Sequence, residues 1–400
     1  MKIGMISIYP PPDYTHHGTS GVASYTKNLV TNFPKDCKVI VFANKFDNSK
    51  DDKIYIEDNV KVIYCWNKNF LFPFKIFLNV LKNRREIDIV HIQHEFFIYG
   101  GKSSYILFIF MLLLLKTLNK PFVVTLHHGF LKPSNINRRT LKELNINIRP
   151  TLFRFGLKMF FKAVSHLSSL IIVHESLFRD ILINHYGVNN RKIGVIPHGI
   201  ENSPKKIDHK EAKKLLNLEG KKIILYFGYI SKFKGVDVLI DCFSNLKDDE
   251  HVLIIAGGKH PRLEGDPEYE KFVKNIKENS FKNVIFTGFI SDCDIPLYFS
   301  AADLVTLPYK LIFASSGPLS LAIAYEKPFL VSKAFKEIIG VNEVIFENSK
   351  EFIERVNMIL NNGPLKYKLL KYIKMLKNQR RWSRICINHL KLYKNIFGDD

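Results

Sequence analysis

Short, nearly continuous apolar runs alternate with helical patterns twice along this chain, and that double series is what most constrains its fold. The first series predicts strands at 2–8, 38–43, 61–65, 88–92, 121–126, 170–174 and 192–196, with helices at 21–33, 74–86, 103–117, 151–167 and 176–186. Strands apolar at odd and even positions alike are covered on both faces, as in a parallel sheet. Strand–helix–strand succession implies right-handed crossovers. A polar segment, 201–211, contains Pro204 and reads as a linker. A second series follows, with strands at 222–228, 251–256, 283–287, 303–307 and 328–332 and helices at 235–246, 268–279, 293–300, 318–325 and 350–361. Residues 365–396 read as one or two basic helices. The expected class is α/β, with two Rossmann-like domains whose parallel sheets face each other across a cleft.

Four hundred residues exceed a typical single core, which agrees with two domains. Apolar content of 46% with 24% charge is that of a soluble globular protein. Met1-Lys2-Ile3-Gly4 runs directly into a strand, so no signal peptide is expected. The longest apolar run, 105–115, is too short to span a bilayer. Cys37, Cys65, Cys242, Cys293 and Cys386 are scattered, which argues against a disulfide framework or structural zinc and for a reducing cytoplasm.

The net charge of +21 points to an anionic partner: nucleic acid, a membrane surface or phosphorylated substrates. Genomic nucleotide bias is the plain alternative, but the charge is uneven. Residues 68–85 hold Lys68, Lys75, Lys82, Arg84 and Arg85 and no acid. Residues 131–162 hold eight basic residues against Glu143 alone, and 366–394 hold ten against none. In the helix at 74–86, Phe74, Phe77, Leu78 and Leu81 are spaced to face the core. Lys75, Asn79, Lys82 and Glu86 then face outward, flanked by Ile76 and Val80. A basic helix with surplus apolar surface suits an anionic membrane surface. No recognised nucleic-acid module is present, so no nucleic-acid partner is expected.

Candidate site residues gather where strands end. Between strands 303–307 and 328–332 lies Phe313-Ala314-Ser315-Ser316-Gly317-Pro318-Leu319. Pro318 suits the first helical position, and Ser316 or Gly317 the N-cap. The amides of Leu319 and Ser320 are then expected to point outward and, with the helix dipole, to hold an anion. An ordinary helix cap is the plainer reading. The first strand leads through a loop from Pro10 to Gly21, containing Ser20, into a helix. It lacks G-x-G-x-x-G, which disfavours a dinucleotide. His94 and Glu95 follow one parallel strand and His127 and His128 another, at edges where such sheets bind ligands. Their spacing matches no known metal site. Gly228 closes a strand ahead of Lys232 and Lys234, which can reach a diphosphate or stand simply as two solvated loop lysines. Gly258 and Ile290, after two further strands, can border a base.

In order and spacing these motifs resemble the retaining glycosyltransferases of the GT-B fold, particularly family 4. The matching segments are Gly18-Thr19-Ser20-Gly21, His91-Ile92-Gln93-His94-Glu95, Thr125-Leu126-His127, Ile196-Pro197-His198-Gly199-Ile200, residues 227–235 and 286–290, Ala301-Ala302-Asp303 and residues 313–330. Trp382 looks like the family tryptophan at which the chain crosses back. The resemblance implies an acceptor domain at 1–200, a nucleotide-sugar donor domain at 201–375, and a helix at 376–400 returning to the first. It implies donor binding by Ser20, Gly21, Gly228, Lys232, Gly258, Ile290 and the turn of Ser315, Ser316, Gly317 and Leu319. His127 would lie beside the transferred sugar, with His94 and Glu95 near it, and Lys234 would neutralise the leaving diphosphate. Preorganised donors of this kind can replace a divalent metal, so no metal and no cofactor are expected. Two family features are missing. The paired glutamates of the donor loop fall on Phe313 and Leu321, and an arginine falls on Tyr229. The expectation is a hexosyltransferase, cytoplasmic or peripheral at the inner membrane face, acting on a lipid-linked glycan or cell-surface polysaccharide precursor. The alternative is a non-catalytic GT-B protein that binds nucleotide sugar or glycan and supports a partner enzyme.

Overall fold

A computed structural model describes residues 1–11, 21–46, 52–101, 103–144, 146–201, 204–246, 249–261, 263–361 and 363–398. The first sheet contains β1 (Lys2–Ser7), β2 (Lys38–Asn44), β3 (Lys53–Glu57), β4 (Val60–Trp66), β5 (Ile89–His94), β6 (Phe122–Leu126), β7 (Leu170–Val173) and β8 (Ile193–Val195). Its order is β3-β4-β2-β1-β5-β6-β7-β8. Every pair is parallel except β3 with β4. The second sheet contains β9 (Lys222–Phe227), β10 (His251–Ala256), β11 (Val284–Gly288), β12 (Leu304–Leu307), β13 (Phe329–Ser332) and β14 (Ile345–Phe346), all parallel, in the order β11-β10-β9-β12-β13-β14. Strand order reverses between β1 and β5 and again between β9 and β12. In open α/β sheets ligands bind at such switch points, beyond the carboxyl ends of the strands.

Helices α1 (Gly21–Thr31), α2 (Phe72–Lys82), α3 (Ser104–Lys116), α4 (Arg138–Glu143), α5 (Pro150–Leu167) and α6 (Ser176–Tyr186) belong to the first series. The second has α7 (His209–Leu215), α8 (Val236–Phe243), α9 (Pro267–Glu278), α10 (Ile295–Ala301), α11 (Gly317–Ala324) and α12 (Ser349–Leu360). Then come α13 (Pro364–Gln379) and α14 (Trp382–Phe397).

The apolar strands bury both faces of the first sheet, as their unbroken runs require. Ile3 and Met5 of β1 pack with Tyr25 and Leu29 of α1 and with Trp382, Ile385 and Tyr393 of α14. Ile6 and Ile8 face the other way, into a core shared with Ile76, Phe108 and Phe161 of α2, α3 and α5. The last helix therefore completes the core of the first sheet. Trp382 lies flat against Gly199, where any Cβ would stand 2.5 Å from the indole. At the same crossing Ile200 donates its amide to the Arg380 carbonyl at 2.9 Å, and the buried Arg380 guanidinium pairs with Glu175 at 3.2 Å.

Several elements depart from expectation; α4 and β14 were not anticipated, and three others are informative. Edge strand β3 has only a short apolar run, Ile54-Tyr55-Ile56, and buries none of it fully. Helix α7 occupies the end of the expected linker, capped by the Asp208 carboxylate, which accepts from the amides of Lys210 and Glu211. In α2 the buried stripe is Phe72, Ile76, Asn79 and Val80, while Phe74 and Leu78 face solvent beside Lys75 and Lys82. The expected orientation is thus reversed. Asn79 can be buried because its amide donates to the Lys75 carbonyl at 3.0 Å. Among the described residues no helix is long and apolar enough to cross a membrane.

Candidate functional site

The donor-side wall is built where β9 and β12 end. β9 closes on Gly228, and a short helical turn, Lys232–Lys234, leads through Gly235 into α8. Gly235 adopts φ +70°, and a Cβ there would lie 2.0 Å from the Pro308 carbonyl oxygen, so only glycine fits. This tight approach throws Lys234 back over β9. A Cβ on Gly228 would stand 2.8 Å from Lys234 Nζ and 3.6 Å from Pro318 Cγ, so the ammonium and the start of α11 meet over that glycine. Lys234 Nζ also lies 5.9 Å from the Tyr309 ring centroid. No described carboxylate pairs with it. The residue is half-buried, and desolvation pulls its pKa down to about 8. A desolvated cation without a counter-charge is a poised anion site.

The α11 turn corrects one expectation. Ser316 is the N-cap, and its hydroxyl accepts from the Leu319 amide at 3.3 Å. The Ser320 amide donates to the Ser316 carbonyl at 3.1 Å. Neither amide is left over for a ligand, because a serine cap folds back onto its own helix. Gly317 keeps its amide as the first helical residue, and Ser315 Oγ is buried without a partner. Lys232 lies 5.7 Å from the Phe272 ring centroid, on the α9 side. Gly258 accepts from the Ile230 amide at 3.0 Å and Ile290 is buried. Phe289 stands 64% exposed between them; its position in the strand-end motif was its only signal.

The acceptor-side wall is different in kind. Gly21 begins α1 in open space, while Ser20 lies outside the described residues. Glu95 is half-buried at the end of β5. His94 is buried with ring centroids 4.3 Å from Phe108 and 5.0 Å from Phe160. Desolvation by these rings pushes its pKa down to about 3. The ring packs among aromatic side chains and stays neutral, with its Nδ1 buried and without a partner.

His127 is also turned inward. Its Nε2 lies 2.8 Å from the Gln93 carboxamide and its Nδ1 3.1 Å from His174 Nε2. His174 Nδ1 donates to the Ile196 carbonyl at 3.0 Å. On the other side, His91 Nε2 contacts Thr125 Oγ1 at 2.7 Å and Gln93 at 3.2 Å, and His91 Nδ1 meets the Tyr393 hydroxyl at 2.5 Å. Burial holds all three rings neutral. Neutral rings satisfy this chain in one direction only, because His174 must keep its proton on Nδ1 and so accepts at Nε2. His127 then donates from Nδ1 and must accept at Nε2, which requires the Gln93 carboxamide, placed with Oε1 toward His127 and its NH2 toward His91, to turn over; His91 then donates from Nε2 and accepts from Tyr393. With both nitrogens engaged, the His127 ring has none to offer a sugar; its backbone and ring edge remain at the site.

The two walls touch. The Phe313 carbonyl accepts from the amides of Gly129 at 2.9 Å and Phe130 at 3.2 Å, and Ala314 bridges to His128. The Phe313 ring sits between His128 and Phe233, with centroids at 6.1 and 5.1 Å.

Comparison with known proteins agrees with this architecture. The family described as Glycosyltransferase Family 4 matches residues 19–203, and that described as Glycosyl transferases group 1 matches residues 208–376. The chain belongs to glycosyltransferase family 4. This family 4 chain is 25% identical over 353 residues to the alpha-monoglucosyldiacylglycerol synthase of Streptococcus pneumoniae, covering 82% of this chain and 72% of that one. It is 27% identical over 197 residues to spore coat protein SA of Bacillus subtilis, covering 46% of this chain and 52%, about half, of that relative. Its fold is that of HepE from Anabaena, solved with UDP and glucose, at TM-score 0.68 and 16% identity over 99% of this chain and all of the other. Sucrose-phosphate synthase from Thermosynechococcus elongatus superposes at TM-score 0.73 and 18% identity, covering 100% and 99% of the two chains. These solved relatives establish the GT-B fold of this family 4 member.

Proposed function

We propose that the chain is a retaining glycosyltransferase that moves a hexose from a nucleotide-sugar donor to a lipid-linked glycan or cell-surface polysaccharide precursor, in the cytoplasm at the inner face of a membrane. The observation that carries this reading is the partly desolvated Lys234 ammonium, with no described carboxylate beside it, meeting the start of α11 over Gly228. A diphosphate placed there gains a charge-assisted hydrogen bond and the positive end of a helix. In the transfer, the bond from the anomeric carbon to the diphosphate breaks and the acceptor hydroxyl forms the new bond on the same face. The acceptor's proton leaves on the departing diphosphate oxygen. Lys234 stabilises the charge that develops on that diphosphate, which is the role a divalent metal would otherwise fill. Phe289 offers a face against which a base can stack, beside Gly258 and Ile290. A glycolipid acceptor is supported by the names of relatives: the pneumococcal synthase and a GDP-mannose:glycolipid 4-beta-D-mannosyltransferase of Xanthomonas campestris.

The test is thermal stabilisation and donor hydrolysis with UDP, GDP, ADP and their hexose conjugates, on the protein and its Lys234→Ala variant. One nucleotide is expected to stabilise the parent and not the variant. The second reading, a non-catalytic GT-B protein supporting a partner enzyme, is favoured by the apolar Phe313 and Leu321 in the donor loop. It requires nucleotide-sugar binding without Lys234-dependent hydrolysis or transfer.

A further inference from the structure

Helix α3 is apolar around its whole circumference, yet only one side of it is buried. A helix of that composition is normally enclosed. Here Ile106 is 79% exposed, and Leu113 also faces solvent. The helix lies between α2 and α5, and both neighbours continue the same surface. Phe74 and Leu78 of α2 and Leu152 and Phe155 of α5 are exposed, and the Phe74 and Phe110 rings touch edge to face across the α2–α3 seam at 5.4 Å. An apolar surface shared by three adjacent helices is more than the scattered exposure normal for a protein surface.

Charge identifies what covers it. Helices α2, α3 and α5 contain no Asp or Glu. Exposed Lys75, Lys82, Lys116, Lys158 and Lys162 stand among or beside the apolar side chains. Between Phe96 and His174 the sole acid is Glu143, which is already held by Arg139 at 3.2 Å. A second copy of this chain would bring like charges together in an apolar contact. An anionic lipid surface supplies both missing elements, acyl chains for the phenylalanines and leucines and phosphates for the lysines, whose stems cover apolar surface while their heads reach the interface.

We infer that the outer face of α2, α3 and α5 is a bilayer-docking surface that inserts shallowly into an anionic membrane. Each of these helices starts at the carboxyl-terminal side of the first sheet, following β4, β5 and β6 in the chain. Their exposed amino-terminal ends, with Phe74, Ile106 and Leu152, therefore border the cleft, and docking presents the cleft to molecules still held in the bilayer. The inference deepens the membrane part of the function proposed above. It does not depend on the donor chemistry, so vesicle binding and sugar transfer can fail separately.

The experiment is sedimentation of the full chain with phosphatidylcholine vesicles, with and without phosphatidylglycerol. The protein is expected to pellet with the anionic vesicles and to stay in solution with phosphatidylcholine alone. An Ile106→Asp, Phe155→Asp double variant is expected to lower partitioning about tenfold or more, with its thermal transition intact. Val238→Asp, which charges an exposed apolar residue on α8 of the other sheet, is expected to bind as the parent does. The proposal is overturned if the parent ignores anionic vesicles, or if the double variant binds them undiminished. It is also overturned if the parent is a dimer that the double variant dissolves, which would assign the face to a second copy.

Discussion

The two walls of the cleft treat polar groups in opposite ways. On the first-sheet side, His91, His127, His174 and Gln93 spend their ring and amide groups on one another, and the chain of bonds ends on a backbone carbonyl, although the Tyr25 hydroxyl and His94 Nδ1 near it are buried without partners. On the second-sheet side, the Lys234 ammonium is partly desolvated with no described carboxylate beside it, and the Ser315 hydroxyl is buried without a partner. A satisfied network is rigid framework, whereas a partly desolvated cation without a counter-charge costs stability until a ligand arrives. Titratable residues near a cleft are therefore not equivalent candidates, and the count of partners separates them better than residue type.

Acid should break the comparison most severely. The rings of His94 and His174 are pushed down to about 3 and those of His198 and His389 to about 4, while His91 and His127 fall well below the usual value, burial being the largest cause in each. Below about pH 6.5 the unfolded chain binds protons that the fold refuses, so stability present above that pH is lost as it falls. Each ring contributes up to roughly 1.4 kcal/mol per pH unit, and six of them approach the whole stability of a domain within one unit. Thermal melts between pH 7 and 5 are expected to show a steep loss, with the first sheet's amides exchanging first. A flat profile would mean the network is not neutral.

Next comes Lys234→Ala. Nucleotide-diphosphate affinity is expected to fall by about 3 kcal/mol, some hundredfold, while the melting temperature of the free protein holds or rises because a partly desolvated charge without a counter-charge is gone. Calorimetry and a melt together check this; a joint loss of both would make the lysine structural. In the parent, affinity is expected to decline above about pH 8, where the free ammonium loses its proton.

Gly199→Ala is expected to cost roughly 1–3 kcal/mol by overpacking against Trp382, read as a lowered denaturation midpoint with donor affinity unchanged. Smallest is Ser316→Ala. Losing the cap costs about 1 kcal/mol and also frees the Leu319 amide. A variant that is less stable but binds diphosphate no worse would sharpen the distinction between cap and ligand site.

The central strands were legible because most are nearly continuous apolar runs; Lys234 was singled out by the resemblance, since a loop lysine alone reads equally well as a solvated one. Edge strand β3 was not legible, since its apolar run is only Ile54-Tyr55-Ile56 between polar residues, and as an edge it leaves Ile54 and Ile56 exposed. Nor was the inward face of α2. That helix carries two apolar stripes, and the buried one includes Asn79, a polar residue whose local bond to Lys75 removes the penalty periodicity assigns it. The histidine chain needs the pairing of Gln93 with Thr125 across β5 and β6, and Tyr393 from the far end of the sequence. The resemblance to family 4 put His127 at the site; only its neighbours show which way its ring faces.

The return of α14 has a consequence for biosynthesis. A ribosome releases β1 and α1 hundreds of residues before Trp382, Ile385 and Tyr393, the side chains that seal Ile3, Met5 and Tyr25. Through most of translation the first half is an unfinished sandwich, with one side of its sheet open to whatever binds apolar surface. The second sheet contains no strand from the first half and can close earlier. The first half therefore cannot finish its core before the second half has been made.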